Sequence, residues 1–154
     1  MALMSLDEFA EKCNAMCKLF PEARTEGIHE CGDLIESTVK ANINALKEPT
    51  GVLLSAVTRK DGSGGGYTMV KNNYNIAHHA WLVENGHWTG SKKWTKDSKF
   101  VPIYPDGSGL GKLLKRGKWV SGRNMYYNAA QDTRDPCIQI MENAVSKAEE
   151  EAFG

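Results

Sequence analysis

The sequence predicts an α+β domain, with helices at both ends of the chain and a small antiparallel sheet between them. Three observations lead there. Apolar residues recur at three- and four-residue spacing over 5–47; short β-rich runs broken by glycine replace that pattern over 50–87; and helical spacing returns after 123. The expected architecture packs the sheet against two N-terminal helices and one C-terminal helix, and it adds a long, extended basic arm over 88–122. A last strand and helix occupy 123–150. With 154 residues, one domain spanning 1–154 is the expectation, burying about 70% of its unfolded surface.

Over 5–20, Leu6, Phe9, Ala10, Cys13, Met16, Cys17 and Phe20 form one stripe. Ser5 with Glu8 three residues later makes a capping-box pattern. Pro21 favours a break, and as the first residue of a new helix its missing N–H would cost nothing. The second helix then carries Ile28, Cys31, Leu34, Ile35, Val39, Ile43 and Leu46 on one side. Gly27 and Gly32 weaken it by roughly 1 kcal/mol each relative to Ala, which points to close packing.

Pro49 and Gly51 end that helix. Residues 52–59 read as a strand, 61–66 as a glycine-rich turn and 67–72 as the antiparallel partner. Neither glycine run is a phosphate loop. Gly62 to Gly66 lacks a following GK[ST], and Gly107-Ser108-Gly109-Leu110-Gly111-Lys112 has Leu113 where a magnesium-binding hydroxyl is needed. At the C-terminal end, a strand or turn is expected over 122–127. A helix follows, capped by Asp132 or Thr133 and striped with Pro136, Ile138, Ile140, Met141, Ala144, Val145 and Ala148. Glu149, Glu150 and Glu151 oppose its dipole, so its last turn should fray or meet a basic partner.

The richest chemistry lies over 74–88, where His78, His79, Trp81, Glu84, Gly86 and His87 crowd an apolar run. A metal-dependent hydrolase is one reading, since Glu84 and His87 would share a helical face at three-residue spacing. The order differs from the common zinc hydrolase motif, because His79 and Glu84 are five apart and Glu does not follow the first His. Adjacent His78 and His79 also diverge on either a helix or a strand. The structural reading has Ala77, Ala80, Trp81 and Val83 packing on the sheet. Glu84 and one His then satisfy buried donors around a turn at Gly86.

Cys13 and Cys17 share one helical face, while Cys31 and Cys137 are isolated, so the four read as free, partly buried thiols rather than a zinc site. Hydrophobic residues make up 41% and charged residues 25%, which excludes a disordered chain. No apolar run reaches the roughly 20 residues of a bilayer span, and the first residues lack a basic start, so a cytoplasmic product without membrane contact is expected.

Net charge is zero but unevenly placed. Lys92, Lys93, Lys96, Lys99, Lys112, Lys115, Arg116, Lys118 and Arg123 face only Asp97 and Asp106 over 91–123; nine against two leaves +7 there and −7 elsewhere. Such a division suits head-to-tail packing of copies or docking onto an opposite potential. Trp94, Phe100, Tyr104 and Trp119 interleave with the basic residues, so a nucleic-acid-binding module is a further reading. Trp94 and Trp119 are the expected interface anchors of the arm.

A TG-x-L-x-S run at Thr50 to Ser55, the HAxLVExGH run at His79 to His87 and the late aromatic-glycine-basic patch Trp119 to Arg123, followed by a helix, resemble in their order the tail-completion and neck proteins of long-tailed bacteriophages. The resemblance covers residues 20–150. It implies a non-enzymatic virion protein without a cofactor, assembled in the host cytoplasm, forming a ring of six copies at the head-proximal end of the tail. Its implied partners are other copies of itself, the tail-tube protein and the head-side connector, with DNA passing through the lumen. A stopper or other neck component is the nearest alternative within that class.

Overall fold

The computed structural model describes residues 5–46, 51–88 and 119–154. Its first element is a single helix, α1, over Leu6–Asn44, 39 residues and about 58 Å long at 1.5 Å per residue. Ser5 caps it: the Ser5 hydroxyl accepts from the Glu8 amide at 3.2 Å, and the Ser5 amide donates to Glu8 Oε2 at 2.9 Å. The expected break at Pro21 does not occur, and the proline lies inside the helix. A proline there removes one backbone hydrogen bond, but packing against a second helix on both sides of it holds the path.

That second helix is α5, Arg134–Phe153, which runs back antiparallel along α1. Lys12 Nζ donates to the carbonyl of Phe153 at 2.6 Å, the Phe9 and Phe153 rings meet at 6.5 Å, and Cys31 Sγ reaches the carbonyl of Cys137 at 3.5 Å. Gly27 allows the approach, since a Cβ there would sit 2.8 Å from Met141 Sδ. The acidic last turn of α5 therefore does meet a basic group, Lys12, as dipole complementarity favours. In the α5 stripe, Ala148 and Ala152 are buried whereas Pro136 and Ile138 are exposed. Thr133 takes the N-cap position of α5, as expected, but it is buried and its hydroxyl caps nothing there, donating instead to the Ala129 carbonyl at 2.7 Å.

Residues expected to enter a strand at 52 are helical: α2 covers Gly51–Ala56 and buries Leu53 and Ala56 on one side. Only then does β1, Val57–Asp61, begin, pairing antiparallel with β2, Thr68–Asn72, in the register Val57↔Asn72 to Asp61↔Thr68. The reason is burial. The β-prone run 52–56 places Leu53 and Ala56 three apart, and both enter the core only if that stretch is helical.

The hairpin lies on α1 through ion pairs. Arg59 holds Asp61 with two hydrogen bonds at 2.8 and 2.9 Å and also binds Asp33 of α1. Thr68 donates to Asp61 at 2.6 Å. The Arg59 guanidinium and the Thr68 hydroxyl hold the Asp61 carboxyl well below the usual carboxylate range. Gly32 sits beneath them, where a Cβ would come within 2.6 Å of the Thr68 hydroxyl.

The chain then forms α3, Ala80–Asn85, and β3, Gly86–Trp88. It returns as β4, Trp119–Ser121, followed by α4, Met125–Asp132, where a last strand or turn at 122–127 is expected. β3 and β4 form a second antiparallel pair, Gly86↔Ser121 to Trp88↔Trp119. The core gathers Val39, Ile43, Leu53, Ala56, Val57, Ala77, Ala80, Met125 and Ala129, at the C-terminal end of α1. The result is α+β, with helices dominating and two small antiparallel sheets.

Candidate functional site: the root of the basic segment

β3 ends at Trp88 and β4 begins at Trp119, and the two strands pair antiparallel, so the described ends that flank residues 89–118 are held at one site. Lys92, Lys93, Trp94, Lys96, Lys99, Lys112, Lys115, Arg116 and Lys118 lie outside the described residues. The central motif builds the joint beside these two strands.

Gly86 turns α3 into β3 with φ at +88°, a conformation that suits glycine alone. Space leads to the same requirement, since a Cβ on Gly86 would lie 2.6 Å from the Val120 carbonyl and one on Gly122 would lie 2.2 Å from that of Glu84. The two backbones touch at this crossing. Arg123 donates its amide to the Val83 carbonyl at 2.8 Å, and Asn124 donates to that of Glu84 at 3.1 Å. α3 is thereby joined to the start of α4.

Glu84 completes the joint. Asn124, at the N-cap of α4, has φ +52° and makes no side-chain cap. The Glu84 carboxylate, from a distant part of the sequence, caps the helix in its place. Tyr126 donates to its two oxygens at 3.2 and 3.1 Å, and Tyr127 donates to Oε1 at 3.0 Å. An anion at a helix N-terminus satisfies amides that have no intrahelical partner and complements the dipole. On the other side, Asn42 of α1 donates to the Met125 carbonyl at 3.0 Å, which ties α4 to the long helix.

Trp81, expected against the sheet, is 53% exposed, while Ala77 and Ala80 are buried and Val83 packs on the core. His78 and His79 are exposed. Neither bonds the buried amides, and His87 Nδ1 is buried without a partner, as is the Tyr126 hydroxyl. Burial and the negative charge of Glu84 push the Tyr126 phenol up to about 12, so it is a neutral group. Among the described residues no three His, Cys, Asp or Glu side chains group as a metal site, and no helix is long and apolar enough to cross a membrane.

The one carboxylate of the motif has both oxygens engaged by backbone amides, which leaves it poorly placed to move protons or hold a cation. Sequence reasoning missed Tyr126, Tyr127 and Asn42, whose parts are played by backbone groups or by contacts between distant stretches of the chain; no side-chain pattern signals them. Comparison with protein families, with characterised proteins and with solved structures found no match for this chain.

Proposed function

We propose that this chain is a non-enzymatic structural subunit of a tailed bacteriophage virion. As a tail terminator or completion protein it forms a ring of six copies at the head-proximal end of the tail, ends tube polymerisation and presents a surface to the head-side connector. The observation that carries the reading is the use of the HAxLVExGH run. Gly86 and Glu84 serve as the joint that roots a basic segment on the body, rather than as reactive groups, and this supports a motif whose work is to shape an assembly surface.

Charge supports the same reading. α1 carries eight acidic against four basic residues and α5 five against two, while the segment over 91–123 is strongly basic. A closed ring needs two different, complementary patches on each subunit. The acidic helix pair and the basic segment are such patches.

The test is the mass of the purified protein by native mass spectrometry or light scattering, alone and with its tail-tube protein. A closed ring in either condition is the expected result. A monomer that ignores the tube would overturn the reading.

A further inference from the structure

Cys31 and Cys137 meet where α1 and α5 cross. Cys31 is 8% exposed and Cys137 half-buried. The Cys31 thiol donates to the Cys137 carbonyl at 3.5 Å, which brings the two residues into direct contact. The backbones are close on this stretch, because Gly27 lies one turn away from Cys31 on α1 and packs on Met141 and Ala144, one and two turns beyond Cys137 on α5. A thiol of one helix in contact with a cysteine of another, where the two backbones run close, brings the pair within the span a disulfide can bridge.

We propose that Cys31 and Cys137 are a redox-responsive pair, which a disulfide oxidant of the glutathione class converts into a cross-link stapling α1 to α5. Cys137, the more accessible thiol, gives up its proton to solvent. Its thiolate attacks glutathione disulfide, forming a Cys137–glutathione mixed disulfide and releasing one glutathione thiolate. Cys31, deprotonated in turn, attacks the Cys137 sulfur; the new S–S bond forms as the second glutathione thiolate leaves. Two protein thiols are oxidised, one glutathione disulfide is reduced, and the two released thiolates take up the two protons.

Burial pushes the Cys31 thiol up to about 12, with the hydrogen bond and charge of Cys137 adding to it. Cys31 is thereby shielded from direct oxidation and acts as the resolving thiol, with proximity compensating for a small thiolate fraction. The chemistry stands without the assembly reading. Joined to it, the pair is reduced while a particle is built in a reducing cytoplasm and cross-linked once outside.

The experiment incubates the full chain with glutathione disulfide, then measures intact mass, non-reduced peptide maps and Tm. The expected product has lost two hydrogens, carries one link between the Cys31 and Cys137 peptides and melts about 5–15 °C higher; dithiothreitol reverses all three changes. The Cys13→Ser/Cys17→Ser double variant should behave identically, whereas Cys137→Ser should show neither link nor gain. If Cys137→Ser does not fold, Cys31→Ala provides the same control. A stable glutathione adduct on Cys137 without a link, a link between Cys13 and Cys17 instead, or no reaction at all would each overturn the proposal.

Discussion

Glu84 commits its carboxylate to two backbone amides at the start of α4, and this single side chain joins the central motif to the C-terminal helices. Loss of a helix cap costs about 0.5–2 kcal/mol. Here the effect should lie at the upper end, because the acceptor is charged and Asn124 offers no substitute. Glu84→Ala is expected to destabilise the protein by about 2 kcal/mol in urea unfolding, and to speed amide hydrogen exchange at Tyr126 and Tyr127 before other sites. Unchanged exchange at those two amides would show that the cap is not what holds α4. The sequence marks Glu84 as unusual only by its company of histidines. What it does depends on amides 42 residues further on, whose position follows from the turn at Asn124.

At the scale of elements, the α1–α5 pair is the dominant feature, and Pro21 works most strongly against its own helix. It removes an amide from the middle of a 39-residue run, which in an isolated helix costs about 3 kcal/mol relative to alanine. Contacts to α5 from Lys12, on one side of the proline, and Gly27, on the other, keep the two halves in line. Pro21→Ala is therefore expected to raise stability by about 1–3 kcal/mol, read as a shift in the urea midpoint at constant m-value. A loss instead would mean that α1 needs its proline to follow α5. Local signals succeed here where they are complete within one turn, as with Ser5 and Glu8. They fail at Pro21 and over 52–56, where a partner distant in sequence decides between two locally acceptable conformations.

For the whole molecule, the separation of charge matters most. Surface ion pairs taken singly contribute little, but a patch repeated around a ring acts many times over, and it governs encounter rates as well as affinity. On the proposed function, reversing Lys112, Lys115, Arg116 and Lys118 to Glu together is expected to abolish ring or tail assembly and leave far-UV circular dichroism and Tm nearly unchanged. Light scattering of the variant with its tail-tube protein checks this. Assembly at wild-type levels would remove the basic segment from the mechanism. Wild-type assembly weakened by added salt would accord with the same electrostatic origin.

The fold class, the presence of a hairpin about the 61–66 turn, the capping box at Ser5 and the division between an acidic body and a basic segment are legible in the residues alone, because periodicity, turn chemistry and charge are written in neighbouring positions. Long-range packing alone makes α1 run unbroken through Pro21, turns 51–56 helical, keeps Trp81 at the surface, sets Glu84 as the cap of α4 and brings Cys31 to Cys137. Each of these depends on groups brought together from distant parts of the chain, where burial and close packing outweigh the local preference of the backbone.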